Sequence, residues 1–256
     1  MLSRNPYIEA AKRALRPVIY RALAPGKPIF HCPICQYRGP FKDKVMSRSP
    51  DVRRIHSKCV QCGAAERHRL MYLVLKDVHG GWTGQQKRML HIAPEPCLQP
   101  LLKSIFPVYH TADLFRRDVD FNEDVQSMSF SNGAYDFVLI SHVLLMPPDL
   151  NGAVRELRRI LKPGGIAMIA ESCSRETTED VSSQGLEHCR KIGLDIINLY
   201  RRHFQGVDCF DSGQYPGVYQ LVSRTRVNGE FSEDCPARLL VPGVGVKGLV
   251  AVCKAA

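Results

Sequence analysis

Two pairs of cysteines near the start of the chain are spaced like metal ligands. Cys32 and Cys35 form one CxxC turn, and Cys59 and Cys62 form a second turn after 23 intervening residues. The two-residue gap lets both thiolates of a turn point at one ion, and two turns complete the tetrahedral four-thiolate shell that is typical of structural zinc. A closed shell of this kind performs no chemistry, but it holds together a small module with little core of its own. The sequence therefore predicts a zinc ribbon over residues 29–69.

The alternative for these turns is redox chemistry, but no βαβ pattern surrounds either of them. The distance between the two turns slightly exceeds the usual spacing of about 15–20 residues. We therefore expect the intervening stretch, residues 41–58, which is rich in Lys and Arg, to form a loop that bulges outward.

Positive charge is concentrated in the same part of the chain. Residues 1–88 contain 18 Lys and Arg against five Asp and Glu, whereas residues 89–256 contain 17 against 20. A basic front suggests contact with nucleic acid, an anionic lipid surface or a phosphorylated substrate. A solvated basic surface without a partner is the alternative.

The pattern of residues 1–28 predicts a separate basic amphipathic helix. Apolar residues recur at three- and four-residue steps from Asn5 to about Ala24, with lysines and arginines between them. We expect the helix to be bent or broken at Pro17, whose ring removes a backbone donor. Its apolar stripe is expected to dock on the body of the protein, with peripheral membrane contact through residues 5–24 as the alternative.

The remainder of the chain, residues 70–256, alternates short apolar runs with helical segments. This pattern predicts an α/β domain with a doubly wound, mostly parallel sheet. The predicted strands are 89–93, 108–112, 135–141 and 166–170, with later strands at 195–200, 218–225 and 248–253. The predicted helices are 97–106, 150–161 and 181–192.

Composition excludes several classes of protein. With 45% hydrophobic and 23% charged residues, the chain of 256 residues is neither disordered nor fibrous. No apolar run approaches the roughly 18–20 residues of a membrane-spanning helix, and the first 26 residues contain no stretch typical of a secretory signal. We therefore expect a cytosolic protein, in which a disulfide scaffold is not expected.

Several ordered segments resemble class I S-adenosylmethionine-dependent methyltransferases. RELRRILKPGG (155–165) resembles the helix and turn before the fifth strand, and YDFVLISHVLL (135–145) resembles the fourth strand. MLHIAPEPCL (89–98), YHTADLF (109–115) and NEDVQSMSF (122–130) match the ends of the first three strands. Together with CPICQYRG, CVQCGAAERHR and SRETTED, they resemble a bacterial subgroup in which a four-cysteine ribbon precedes a Rossmann-like methyltransferase domain. The resemblance covers roughly residues 30–180.

The resemblance implies a site for S-adenosylmethionine at the carboxyl ends of the strands, where open α/β sheets bind ligands. Asp113 is expected to accept the ribose hydroxyls, and Asp124 the adenine amino group with the Val125 backbone beside it. The alternative for both carboxylates is loop capping. The full expected cofactor set is His91, Ala93, Glu95, Asp113, Leu114, Asp124, Val125 and Ser141.

The first loop departs from the family pattern of an acid followed by alternating glycines. His91 replaces the acid, while Ala93, Glu95 and Cys97 stand where glycines are usual. Two prolines stiffen the turn and donate no backbone hydrogen bonds. We expect Glu95 to supply the missing carboxylate to the methionine ammonium group; loss of cofactor binding is the alternative.

His142, just beyond the predicted fourth strand, is the candidate general base, because an imidazole removes protons near neutral pH. A structural histidine is the alternative. Ser172, Arg175 and Glu176, after the fifth strand, are candidates for the acceptor pocket. Many relatives have Glu-His where this chain has Leu145 and Met146, so that polar pair is missing.

The sequence thus predicts an S-adenosylmethionine-dependent methyltransferase acting on an oxygen or nitrogen of a small metabolite or sugar-like acceptor. One alternative is an RNA methyltransferase whose basic ribbon grips phosphates, although the basic part contains few aromatic residues for base stacking. The other alternative is a non-catalytic adaptor that keeps the fold without the reaction, which the altered first loop favours.

Overall fold

The structure, a computed structural model, describes residues 6–46, 49–79, 87–173, 175–181, 190–226 and 235–256. The helices are α1 (Pro6–Leu23), α2 (Glu66–His79), α3 (Gln99–Ile105), α4 (Leu150–Arg159) and α5 (Ile196–His203), with single 3-10 turns at Ser212–Gln214 and Gly217–Tyr219. The strands are β1 (Phe30–His31), β2 (Arg38–Gly39), β3 (Lys42–Met46), β4 (Ser49–Lys58), β5 (Arg88–Ile92), β6 (Val108–Ala112), β7 (Tyr135–Ser141), β8 (Leu161–Glu171), β9 (Glu179–Asp180), β10 (Arg190–Lys191), β11 (Gly206–Asp211), β12 (Val222–Ser223), β13 (Thr225–Arg226), β14 (Leu240–Val241), β15 (Gly245–Lys247) and β16 (Leu249–Lys254).

The main sheet has six strands in the order β11-β16-β8-β7-β5-β6. The strands β6, β5, β7 and β8 are parallel, and β16 runs antiparallel between β8 and β11. After β6 the chain crosses to the other side of β5, which makes the β5–β7 edge the switch point of a doubly wound sheet. The predicted α/β class with a mostly parallel sheet is confirmed.

Alternating side chains of the parallel strands divide the core into two layers. Leu90, Val138 and Ile169 pack with α4 and α5 on one face. Met89, Leu139 and Met168 pack with α2 and α3 on the other face. Strands covered by helices on both faces are continuously apolar, and this explains why the runs at 89–93 and 135–141 were readable in the sequence, whereas 108–112 is a half-buried edge strand.

Three expected elements differ in the structure. The predicted strand at 195–200 is helix α5, because the short apolar run IINLY fits either period and its hydrophobic side chains pack on the sheet face. Before Asn122, the predicted third strand is reduced to one isolated bridge between Ala112 and Phe121, which leaves β6 at the sheet edge. The predicted strand 218–225 is limited to β12 and the start of β13, and most of the predicted helix 181–192 lies outside the described residues.

The helix α1 runs through Pro17 without interruption, so the expected break is absent. Its expected docking is also wrong for the second half of the helix. Leu15, Val18, Ile19 and Leu23 are between 52% and 77% exposed. Tyr20 joins this half to the ribbon, since its ring packs against the ribbon's apolar cluster and its hydroxyl donates to the carbonyl of Phe41. Within the described ranges, no helix is long and apolar enough to cross a bilayer.

Between the two cysteine pairs, the expected outward loop is a β-hairpin. The strands β3 and β4 pair with each other, and β13 from the C-terminal part of the chain adds a third strand beside β4, with Thr225 opposite Arg54. This pairing joins the ribbon to a segment about 170 residues away in sequence. The helix α2 continues from the second cysteine pair into the core of the main sheet, across the expected boundary at residue 69.

Arg69, fully buried in the first half of α2, connects these parts. Its guanidinium donates hydrogen bonds to the carbonyls of Ser57 (3.0 Å) and Ala64 (2.7 Å) in the ribbon and of Tyr219 (2.8 Å) and Gln220 in the C-terminal part. The ring of Phe41 stacks against the guanidinium carbon at 4.5 Å. A planar group with five donors can satisfy four carbonyls at once, which a lysine cannot.

We expect the substitution Arg69→Met to lower the free energy of unfolding by about 3 kcal/mol or more, because it leaves several buried carbonyls without a donor. Urea unfolding followed by circular dichroism measures this loss. The exposed Arg202→Met on α5 is the matched control and is expected to change stability by less than about 0.5 kcal/mol. Equal effects of the two substitutions would contradict the role given to Arg69.

Candidate functional site

A cavity of about 520 Å³ lies at the carboxyl ends of β5, β6 and β7. It is next to the switch point of the sheet, where the loops that follow the strands diverge and leave room for a ligand. Its volume falls in the range of about 300–1,000 Å³ that holds a small molecule or cofactor.

Six of the nine residues predicted for catalysis or cofactor binding line this cavity: Ala93, Asp113, Leu114, Asp124, Val125 and His142. The remaining three, His91, Glu95 and Ser141, are buried and do not contribute to its wall. The structure therefore brings together residues from three separate loops, as the sequence predicted, and excludes part of the first loop.

Asp113 follows β6 and does two things at once. Its Oδ1 accepts the backbone N–H groups of Phe115 (2.9 Å) and Arg116 (3.0 Å), which closes the turn after the strand. Among the described residues, no donor contacts Oδ2 of Asp113. The residue thus caps its loop and still has one carboxylate oxygen for a ligand.

Asp124 is held by a neighbouring amide. Its Oδ1 accepts the backbone N–H of Gln126 at 2.9 Å, and the side-chain nitrogen of Gln126 lies 3.1 Å from both carboxylate oxygens. The oxygen of the same amide accepts the N–H of Asp149, the N-cap of α4, at 2.8 Å. A ligand amino group that approaches Asp124 would therefore compete with Gln126, a residue that sequence reasoning missed.

The loop after β5 is organised around a buried pair. His91 Nε2 lies 2.8 Å from Glu95 Oε2, and His91 Nδ1 lies 2.8 Å from the hydroxyl of Tyr109. Burial alone would raise the pKa of Glu95, but the hydrogen bond and charge of His91, with His68 and Arg67, lower the pKa below its usual value. The carboxylate of Glu95 therefore does not face the cavity, where a ligand ammonium group was expected to meet it, because it is bonded to His91 inside the loop.

Two non-glycine residues at the cavity have a left-handed backbone. Ala93 has φ of 51° and His142 has φ of 55°. Each extends the pairing of the sheet by one bond before the chain turns, since the Ala93 N–H donates to Ala112 and the His142 N–H to Ala170. Such conformations cost about 1–2 kcal/mol for an L-residue and cluster at functional sites.

His142 is half-buried and lies between two cavities. It lines the 520 Å³ cavity on one side and a smaller cavity of about 200 Å³ on the other. Its Nε2 lies 3.2 Å from the hydroxyl of Ser172, a predicted acceptor-pocket residue that lines the smaller cavity. Burial, reinforced by the charges of Arg67 and Arg54, lowers the pKa of His142 to about 3, so the ring is neutral at physiological pH.

Glu171, at the end of β8, fixes the loop that carries His142. Its Oε1 accepts the backbone N–H groups of Val143 (3.1 Å) and Leu144 (3.0 Å). Burial raises the pKa of Glu171 to about 7. The other two acceptor candidates do not line either cavity: Arg175 forms an ion pair with Glu179, and the backbone of Glu176 accepts the N–H of Asp195.

The four predicted metal ligands converge in the ribbon. Sγ of Cys32 lies 3.6 Å from Sγ of Cys62, the same distance separates Cys35 from Cys59, and all four sulfurs lie within 4.8 Å of one another. Four thiolates at about 2.3 Å from a tetrahedral ion lie about 3.8 Å apart, whereas disulfide sulfurs lie about 2.05 Å apart. The donor set and its spacing therefore fit one four-coordinate metal ion.

Residues 109–169 match the family model described as "Methyltransferase domain". This match spans β6, the carboxylate loops, β7, α4 and most of β8, and it bears out the resemblance to S-adenosylmethionine-dependent methyltransferases that the sequence predicted.

One curated relative and two solved structures illustrate what this chain is similar to. The highly reducing polyketide synthase ACTTS3 of Alternaria alternata is 36% identical over 62 residues, which are 24% of this chain and 2% of that protein. The chain thus spans a small fraction of the length of the curated relatives it matches. The carbon methyltransferase of CurJ is 14% identical with a TM-score of 0.49, covering 75% of this chain and 56% of that one. The 1,6-didemethyltoxoflavin-N1-methyltransferase of Burkholderia thailandensis is 14% identical with a TM-score of 0.47, covering 75% and 79%.

We expect Ala93→Gly to raise the free energy of unfolding by about 0.5–1 kcal/mol, because glycine relieves the left-handed strain at this position. The control is Ala153→Gly in the middle of α4, which is expected to lose about 1 kcal/mol or more, since glycine is unfavourable inside a helix. Thermal unfolding of both variants gives the sign of each change. A destabilised Ala93→Gly would show that the left-handed turn is not strained.

Proposed function

We propose that the protein is an S-adenosylmethionine-dependent methyltransferase that acts on an oxygen or nitrogen of a small acceptor. The observation that carries this proposal is the cavity at the switch point, which Asp113 and Asp124 reach from two loops and His142 from a third. Its size suits a nucleoside with an amino-acid chain, and its wall includes six of the residues that the family resemblance implies for the site.

The residues have distinct roles in this proposal. The free Oδ2 of Asp113 accepts a ribose hydroxyl, and the carboxylate of Asp124 accepts the adenine amino group when Gln126 turns aside. S-adenosylmethionine supplies a methyl group on a sulfonium when it is bound. When that methyl group is transferred in line to the acceptor, neutral His142 or solvent would take the proton that the acceptor atom loses. Glu171 positions His142 through the loop backbone.

The relatives add one acceptor chemistry that the sequence analysis did not consider. Several are named polyketide synthases, and one solved structure is named a carbon methyltransferase. Product analysis with labelled cofactor should therefore include carbon acceptors beside oxygen and nitrogen. The scarcity of aromatic residues in the basic part favours a small acceptor over RNA, because binders of single-stranded RNA stack bases on aromatic side chains.

We also propose that the cysteine cluster holds one Zn²⁺, bound by Cys32, Cys35, Cys59 and Cys62. A closed four-thiolate shell leaves no position for substrate, so the ion acts on stability. It fixes the ribbon whose hairpin contributes to the smaller cavity beside His142.

Titration calorimetry with S-adenosylhomocysteine tests the cofactor site. We expect the wild type to bind and Asp113→Asn to bind about tenfold to a hundredfold more weakly, because the variant keeps the acceptor oxygen that closes the turn but loses the charge at the ribose. Asp208→Asn is the matched control, since Asp208 pairs with Lys254 on the remote edge strands, and its affinity should equal that of the wild type. Absence of binding by a folded, zinc-loaded wild type would favour the non-catalytic adaptor.

Metal analysis tests the ribbon. We expect one zinc per chain in the purified protein, and a markedly lower melting temperature after a strong chelator removes it, because ligand binding free energy contributes directly to folding in such sites. Cys62→Ser should lose the metal, whereas Cys209→Ser on β11 should retain it. Full zinc content in Cys62→Ser would overturn the assignment.

A further inference from the structure

The smaller cavity, of about 200 Å³, lies where the ribbon meets the main sheet. Three basic residues from distant parts of the chain reach it: Arg54 from β4, Arg67 from α2 and Lys247 from β15. His142 and Ser172 line one side of this cavity, and His142 also lines the 520 Å³ cavity. We call this space the arginine cavity.

Among the described residues, two of these cations have no hydrogen-bond or ion-pair partner. In the described part of the chain, no carboxylate or carbonyl lies within hydrogen-bond or ion-pair distance of the side chains of Arg54 and Arg67. The buried Nε of Arg67 is without an acceptor. Lys247, by contrast, pairs with Asp211 at 3.6 Å. Buried polar groups of native proteins are nearly always satisfied, so the unpaired Nε of Arg67 beside a cavity is a donor that a ligand or a water would satisfy.

The charges around the cavity also favour a bound anion. Burial and the charges of Arg54, Arg67 and Lys58 lower the pKa of Lys44. Burial also lowers the pKa of Arg67, with Arg54 adding to the effect and Glu95 and Glu66 opposing it. Glu66, the acid on the wall of the arginine cavity, accepts the hydroxyl of Ser57 through Oε2. The cluster therefore has an excess of positive charge that a bound anion would relieve.

We propose that the arginine cavity is the acceptor pocket of the enzyme and takes a methyl acceptor through an anionic group, a carboxylate or a phosphate, held between Arg54 and Arg67. Guanidinium groups bind both anions through paired hydrogen bonds. The volume equals that of about seven water molecules, which suits the charged end of a small molecule and excludes a polymer segment. This inference rests on the proposed methyltransferase function, because it assigns the acceptor to the far side of His142.

An anion in this place also acts on His142. The groups that bear on its charge are Arg67, Arg54 and His68, which disfavour protonation, and Glu95, which favours it. Burial is the main cause of the lowered pKa of His142, and Arg67 and Arg54 add to it; partial neutralisation of the two arginines removes their part and raises the pKa above about 3. The base is then improved when the acceptor is present.

The test uses the full-length, zinc-loaded protein and inorganic phosphate as probe, with acetate as the carboxylate probe. Ionic strength is held constant with chloride, because screening alone would otherwise change the result. We expect saturable binding of at least one probe, weakened about tenfold or more by Arg54→Gln and by Arg67→Gln. Binding of phosphate alone or acetate alone identifies which anion the acceptor carries. Histidine-labelled NMR should show a higher pKa of His142 with the probe bound.

The matched control is Arg53→Gln, since Arg53 lies next to Arg54 on β4 but is exposed and does not line the cavity. It should bind the probe like the wild type. The variants at Arg54 and Arg67 should be as stable as the wild type or more stable, because they remove like-charge repulsion. If they are less stable and bind the probe normally, the arginines are structural and the proposal is overturned.

Binding of S-adenosylhomocysteine, measured on the same variants, distinguishes a failure of the acceptor pocket from a failure of the proposed methyltransferase function. Normal cofactor binding with no arginine-dependent anion binding overturns the acceptor pocket and leaves the proposed function standing. Arginine-dependent anion binding without any cofactor binding overturns the proposed function. Tight binding of mixed RNA that falls steeply with salt and is lost with Arg54→Gln would overturn the small acceptor in favour of RNA.

Discussion

The guanidinium of Arg69 is buried where three parts of the chain meet, and its hydrogen bonds hold them in one arrangement. It binds two carbonyls beside the cysteine turns and two from the C-terminal segment, while its own helix packs on the main sheet. A buried cation is costly unless its donors are satisfied. Here burial lowers the pKa of Arg69, but Glu66 and the thiolates of Cys32, Cys59 and Cys62 counteract this effect. The four-cysteine cluster and the arginine thus favour each other electrostatically, since negative charge on the sulfurs lies near the buried positive charge.

This junction links the four-cysteine ribbon to the cavity beside His142. The ribbon hairpin pairs with β13. The carbonyl of Gln220 accepts from Arg69, and its side-chain amide donates to carbonyls of β4 and to the carbonyl of Val222 on β12. These contacts set the position of Arg54 relative to Arg67. The walls of the arginine cavity therefore belong to the ribbon, α2 and the C-terminal strands together, and no one of these segments contains the whole pocket.

The loops around the 520 Å³ cavity are shaped by left-handed turns and held by polar contacts. Glycine-poor loops reach the cavity through left-handed turns at Ala93 and His142, and polar contacts rigidify them. Arg116 donates to the carbonyl of Pro94 at 2.8 Å, which ties the first loop to the second one, and the His91–Glu95 pair fills the interior of the first loop. Rigid loops hold a site ready for ligand at the expense of local strain. The altered first loop is accordingly an organised structure with its own buried hydrogen bonds.

The sequence alone determined the features that depend on local spacing. The CxxC turns bring four sulfurs together because the gap within each pair is fixed, and the strands β5 and β7 were readable because a strand covered on both faces is largely apolar. The positions of Asp113, Asp124 and His142 at one edge followed from the rule that parallel strands end together. Tertiary structure decided the features that depend on distant partners. The short apolar run of α5 fits a helix or a strand, and its packing on the sheet selects the helix. Packing likewise buries Glu95 against His91 and brings Arg54, Arg67 and Lys247 together. Those three cations are separated by up to 193 residues, and only the packing of the ribbon against the C-terminal strands places them around one space.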